Sequence, residues 1–117
     1  VVDYKATAKK GEVNINARWQ KSYKRQMEIY QWLLRKNGLY VSDRGWFVYC
    51  NGMRDADSFD KRVEFKVSLL PYDGNSDWVD NALTDARIVL ASDDPPELNQ
   101  ECEYCIYRAE AAALESY

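Results

Sequence analysis

Residues 1–7 read VVDYKAT, a short run rich in β-branched residues that passes straight into the polar AKKGE of residues 8–12. Such a run, bounded by polar residues and a glycine, reads as a strand and not a helix. In a strand, positions 3 and 5 project to one face and position 4 to the other, so Asp3 and Lys5 stand together while Tyr4 points away. A carboxylate can hold a divalent cation, and an ammonium two residues on can touch a scissile phosphate or polarise an attacking water. A bare Asp-x-Lys is far more often an exposed ion pair, so its company along the chain decides its meaning.

Working outward, Trp19, Tyr23, Met27, Tyr30 and Leu34 recur at spacings of three and four, which predicts an amphipathic helix over about 16–36. Asn37-Gly38 supplies its C-terminal stop. GWFVYCNG (45–52) is apolar at both parities, the pattern of a central strand. RVEFKVSLL (62–70) alternates strictly, Val63, Phe65, Val67 and Leu69 against Arg62, Glu64, Lys66 and Ser68, so one face of this strand is expected to be wet. Asn75 or Ser76 can cap a further helix with the stripe Val79, Leu83, Ala86 and Leu90, ended by DDPP (93–96), and an alanine-rich helix follows over about 101–117. The expected order is β, α, β, β, α, α. This is an α/β (α+β) chain, with sheet strands near 1–7, 40–51 and 62–70 and the 16–36 helix packed on them through Trp19, Tyr23, Met27 and Tyr30.

Composition bounds what such a chain can do. Its 117 residues, 46% of them hydrophobic, suit a single globular domain and exclude disorder. With no histidine, Ser-His and Cys-His nucleophilic machinery is excluded. No apolar run approaches a membrane span and no secretory signal is visible, so no membrane association and a cytoplasmic setting with reduced thiols are expected. The net charge of −3 hides an asymmetry: residues 1–40 carry +6 and residues 41–117 carry −9. A basic first third on an acidic body is the pattern of one surface that meets a polyanion. DADSFD (55–60) places Asp55, Asp57 and Asp60 close together, but the sixth position from Asp55 is Asp60 where an EF-hand needs Gly, and the twelfth is Lys66 where it needs Glu. An exposed inter-strand loop is expected there.

With these motifs in order, the chain resembles the C-terminal portion of a RecB-like nuclease of the PD-(D/E)XK superfamily. The resemblance rests on VVDYKAT, on QMEIYQWLL (26–34) with its Gln-x-x-x-Tyr, on GLYVSDRGWFVYCNG (38–52), and on PPELNQECEYCIYR (95–108) with its Cys-x-x-Cys-x-Tyr. It implies a restriction-endonuclease-like mixed sheet flanked by helices. It also implies a Mg²⁺- or Mn²⁺-dependent DNA hydrolase, an exonuclease of the kind used in phage recombination or DNA repair. By that resemblance Asp3 is a metal ligand together with the backbone carbonyl of Tyr4, Lys5 is the catalytic lysine, and Gln26 and Tyr30 face the active site and the DNA strand. Lys9, Lys10, Lys21 and Arg25, from the basic first third, are the candidate DNA-binding residues. Partners implied are DNA and, in the parent system, a helicase or recombination protein.

The departures set further expectations. The family completes its metal site with an aspartate upstream of the D-x-K strand. The abrupt start at Val1 without an initiator methionine is what a longer, N-terminally truncated nuclease would give, and residues 1–117 alone are then expected not to cut. Relatives that bind a [4Fe–4S] cluster have a third cysteine near position 111, where this chain has Ala111. Cys102 and Cys105 are therefore expected to be vestigial thiols with no Fe–S cluster, and Cys50 a small core residue. A truncated sheet exposes an edge, through which a dimer can form. Two other readings stay open: a degenerate, non-catalytic nuclease-like domain that binds DNA or a partner protein, and an unrelated α+β interaction module.

Overall fold

A computed structural model of the chain describes residues 1–54 and 61–115. The Asp55, Asp57 and Asp60 loop of the sequence reading lies outside the described residues. The chain divides into two units, residues 1–80 and 81–117.

The first unit is a mixed sheet with one long helix. Strand β1 (Val2–Thr7) pairs in parallel with β2 (Arg44–Gly52), which pairs antiparallel with β3 (Phe65–Asp73), in the order β1-β2-β3. A 3₁₀ turn at Arg18–Gln20 leads into α1 (Lys21–Lys36), the crossover that a parallel β1–β2 pair requires. Gly38, at φ +80°, ends α1: its N–H reaches the Arg35 carbonyl at 2.9 Å and the next N–H reaches Leu34 at 3.1 Å, so orphan carbonyls of the last turn are satisfied. The expected element order, the mixed sheet and the stop signal are all present, in an α+β fold consistent with a restriction-endonuclease-like domain.

The packing differs from the expected stripe. The face of α1 turned to the sheet carries Gln20 before it, then Met27, Glu28 and Gln31, all buried. Trp19 is 62% exposed and Tyr30 40% exposed, so neither packs into the core as expected. The reason is polar: three of the four buried residues are hydrogen-bonding side chains, which hydropathy counts as surface. Gln20 receives the Ala17 N–H at 2.8 Å and donates to the Asn14 carbonyl at 2.6 Å. Gln31 donates to the carbonyls of Ser42 and Asp43 at 3.1 and 2.7 Å, fastening the segment before β2. The apolar core proper is small: Met27, Phe47 and Tyr49, flanked by Val1, Val13, Ile15, Tyr23, Leu70 and Tyr72.

Two glycines let backbone approach α1. A Cβ at Gly45 would run into the Met27 thioether, and one at Gly74 into the Gln31 amide. Glu28 completes the fastening. Its carboxylate accepts from Tyr72 Oη at 2.6 Å, Trp78 Nε1 at 2.7 Å and the Asn75 N–H at 3.2 Å, and so ties α1 to β3 and the turn after it.

Strand β3 alternates as expected, but its wet face is the apolar one. Phe65, Val67 and Leu69 are 57–63% exposed, while Ser68, Leu70 and Tyr72 are half-buried. Register decides this. Ser68 pairs with Tyr49 and Leu70 with Phe47, both of which face α1, so the opposite parity must face away.

The second unit holds most of α2 (Val79–Leu90) and all of α3 (Glu103–Glu115). The expected stripe of α2 does not form a core: Val79 is buried, whereas Leu83, Ala86 and Leu90 are exposed. A helix pair without a sheet of its own has little apolar surface to close around. No helix among the described residues is long and apolar enough to cross a membrane.

Candidate active site

The D-x-K strand delivers its two charges as alternation dictates. Asp3 and Lys5 lie on the face of β1 turned toward α1, their side chains 14% and 15% exposed, and Tyr4 lies on the other face, exposed. Lys5 Nζ sits 2.8 Å from Asp3 Oδ2. It also donates to Gln26 Oε1 at 2.8 Å, and Gln26 Nε2 donates to Tyr30 Oη at 2.7 Å. Positions 26 and 30 are one helical turn apart, which is why a single amide can bridge the strand lysine to the helix phenol. The structure therefore brings together all four side chains singled out by the resemblance, Asp3, Lys5, Gln26 and Tyr30, in one continuous chain.

The donor sense of that chain has chemical content. The amide oxygen of Gln26 is committed to Lys5 and its NH₂ to the phenol oxygen, so the Tyr30 O–H is left to donate outward, from a partly exposed position. Asp3 Oδ2 is buried and, despite its 2.8 Å approach to Lys5 Nζ, receives no aligned hydrogen bond. The Lys5 ammonium, with three donors, thus serves both groups: it bonds Gln26 and holds the Asp3 carboxylate as an ion pair.

Sequence reasoning put Tyr23 only in a packing stripe. The ring lies beneath Lys5, with Nζ 4.2 Å from its centroid, and Trp19 meets it edge-on at 5.5 Å. A cation–π floor holds the ammonium without neutralising it. The signal was in the sequence, since Tyr23 precedes Gln26 by three residues and shares its helix face, but an aromatic at helical spacing is ordinarily core. Beneath it, burial pushes the Tyr49 phenol above its ordinary pKa, despite the hydrogen bond from Gln20. Tyr49 therefore stays neutral beside the site.

Parallel pairing also places the Tyr4 carbonyl. The Val1 carbonyl accepts from Trp46 N–H at 2.9 Å, so by the two-residue alternation Val1, Asp3 and Lys5 turn their carbonyls to β2, and Tyr4 turns its own away from β2. A carboxylate and a carbonyl are both oxygen donors of the kind a divalent ion takes. They are fewer oxygens than Mg²⁺ takes, and among the described residues no three His, Cys, Asp or Glu side chains cluster.

The basic candidates fall in two places. Lys21 and Arg25 are exposed on the first turns of α1, and Arg25 lines a groove of about 390 Å³ with Ser22, Gln26, Ile29 and Tyr30. Lys9 and Lys10 are exposed on the loop after β1. In the second unit, Cys102 and Cys105 lie at the start of α3. Backbone N–H donation, from Cys105 first, draws the Cys102 thiol below its ordinary pKa, and hydrogen bonding to Cys102 pushes Cys105 up.

A family model described as the PD-(D/E)XK nuclease superfamily matches residues 1–109. No curated protein and no solved structure gives a significant match.

Proposed function

Because the chain belongs to the PD-(D/E)XK nuclease superfamily, we propose that it serves the hydrolysis of DNA phosphodiester bonds with Mg²⁺ or Mn²⁺ at Asp3 and Lys5, in an exonuclease of the RecB-like kind used in phage recombination or repair, the oxygen ligands of residues 1–117 alone being too few for cutting. The observation that carries this reading is the unbroken run from Asp3 through Lys5 and Gln26 to Tyr30, which joins a metal-competent carboxylate, a phosphate-competent ammonium and a hydroxyl donor.

Each group has a role that follows from its surroundings. The Asp3 carboxylate and the Tyr4 carbonyl would hold the ion, with substrate phosphate, water and further oxygen ligands completing the set. When bound, the ion supplies Lewis-acid stabilisation and a more acidic water. Lys5 can reach the scissile phosphate or the attacking water, and charge-assisted donation there is stronger than from a neutral group. Gln26 is a positioning residue: its carbonyl fixes the ammonium and its NH₂ fixes the phenol. Tyr30 and Arg25 line the groove on α1 and would donate to the DNA backbone there.

The test is cleavage of linear and covalently closed circular DNA with Mg²⁺, Mn²⁺ or EDTA by the full-length protein that carries residues 1–117, beside residues 1–117 alone, which should bind without cutting; the outcomes below are those of the full-length protein. Metal-dependent loss of linear DNA with the closed circle spared is the expected result. Equal cutting of both overturns the exonuclease assignment. Binding of DNA without cutting in either metal establishes the degenerate, non-catalytic alternative instead.

A further inference from the structure

Beyond the end of β1, on the same face of the sheet as Asp3 and Lys5, the structure holds a second cationic feature. Paired residues of neighbouring strands share a face, so the register gives three successive rows: Asp3–Phe47–Leu70, Lys5–Tyr49–Ser68 and Thr7–Asn51–Lys66. Two adjoining depressions, of about 150 and 200 Å³, open around the last row and share Gly11, Glu12, Asn51 and Lys66. The second is also lined by Lys9, Lys10 and Arg54. Among the described residues, the lining holds four cations and one carboxylate, that of Glu12.

The walls of this trough are built, not adventitious. Asn51 is buried and acts as a clamp: its Oδ1 accepts the Lys9 N–H at 2.8 Å, and its Nδ2 donates to the carbonyls of Lys9 at 2.9 Å and Gly11 at 3.5 Å. Arg54 Nη1 donates to the Ala8 carbonyl at 3.2 Å, which fixes one arm of a guanidinium that carries five donors. Gly11, at φ +83°, turns the loop where a side chain would be strained. Among the described residues, Lys9, Arg54 and Lys66 form no ion pair with a carboxylate. A strand rises about 3.3 Å per residue, so the trough lies about 7 to 13 Å from Lys5. One strand of a duplex presents a phosphate about every 3.4 Å of axis, so that separation spans about two to four nucleotides.

We infer that this trough is a second phosphate subsite, with Lys9, Arg54 and Lys66 holding the backbone of the same nucleic-acid strand about two to four nucleotides from the bond placed at Asp3 and Lys5. The inference rests on the nuclease reading for where the cut lies, but not for whether the trough binds phosphate. Its purpose is register: a strand gripped at two points on one sheet face cannot slide while Lys5 engages its phosphate.

The experiment is anisotropy of labelled single-stranded DNA on the full-length chain in Ca²⁺ over a salt series, with oligonucleotides of about 4 and about 16 nucleotides. Wild type should bind the longer strand more tightly. Arg54→Glu/Lys66→Glu should reduce the slope of log K against log salt by about 1.4, two contacts at about 0.7 each, and should abolish the advantage of length. Because Arg54 also touches the loop backbone, Lys66→Glu alone, expected to reduce the slope by about 0.7, separates charge from loop displacement. Arg87→Glu/Arg108→Glu removes the same charge from the second unit and should leave both readouts unchanged. Equal losses from the two double variants, or an unchanged slope in Lys66→Glu, overturn the subsite. A chain that loses the slope as expected yet never cuts supports the subsite while refuting the catalytic reading.

Discussion

Replacing Glu28 by glutamine should destabilise the first unit by about 2–3 kcal/mol, although size and shape are conserved. The carboxylate accepts three donors, Tyr72 Oη, Trp78 Nε1 and the Asn75 N–H. Glutamine keeps one acceptor oxygen and turns an NH₂ toward at least one of those donors. Hydrogen bonds to a charged group are worth about 1.5–3 kcal/mol against about 0.5–1.5 for neutral pairs, so one bond is lost outright and the others weaken. A neutral amide costs less to bury than a carboxylate, which offsets a part of that loss. The assay is urea denaturation followed by tryptophan fluorescence. All four tryptophans, Trp19, Trp32, Trp46 and Trp78, lie in residues 1–80, so the signal reports this unit alone. At a slope of about 1 kcal/mol per molar urea the midpoint should fall by about 2–3 M. A fall worth less than about 0.5 kcal/mol, the size of an ordinary surface substitution, would show that Glu28 does not tie α1 to β3 and its turn.

The same contact governs alkaline stability. Burial first, then the hydrogen bond to Glu28, pushes the Tyr72 phenol up to about 12. A folded pKa raised above the free value favours the protonated form in the native state. Its contribution is therefore complete below about pH 10 and lost as pH rises toward 12, by about 1–2 kcal/mol after discounting for partial exposure; Tyr72→Phe should remove that decline from a urea-midpoint series. Gly45→Ala should lower stability by about 1–3 kcal/mol in the same denaturation assay, because its Cβ meets the Met27 thioether in the centre of the core. Cys102, whose pKa is drawn down by N–H groups at the start of α3, should be alkylated by iodoacetamide at lower pH than Cys105, with sites read by peptide mass spectrometry.

The strand-helix-strand frame was legible because β1, α1 and β2 each declare themselves by periodicity, and Asn37-Gly38 marks the end of α1. The pairing of Asp3 with Lys5 was also legible, since two-residue alternation leaves no other arrangement in a strand. What could not be read was the rotation of α1 about its axis. Its buried face is chosen by Gln20, Glu28 and Gln31, whose value lies in partners far along the chain, at Asn14, at Ser42 and Asp43, and at Tyr72 and Trp78. Hydropathy instead selected Trp19 and Tyr30. For the same reason the buried parity of β3 was hidden: it follows from register with Phe47 and Tyr49, which no local pattern states. The Tyr23 floor under Lys5 and the Asn51 clamp are likewise contacts across 18 and 42 positions.

The most direct measurement is the single-turnover rate of DNA cleavage in Mg²⁺ by the full-length protein that carries residues 1–117 and by its Asp3→Asn, Lys5→Ala and Lys5→Arg variants, each checked for unchanged circular dichroism and DNA affinity. Loss of the ion's carboxylate or of the ammonium should each reduce the rate by about 10²–10⁴. Lys5→Arg should not restore it, because a guanidinium is bulkier than an ammonium and stays protonated. An Asp3→Asn protein that cuts at the wild-type rate would place the chemistry elsewhere and contradict the assignment of this strand.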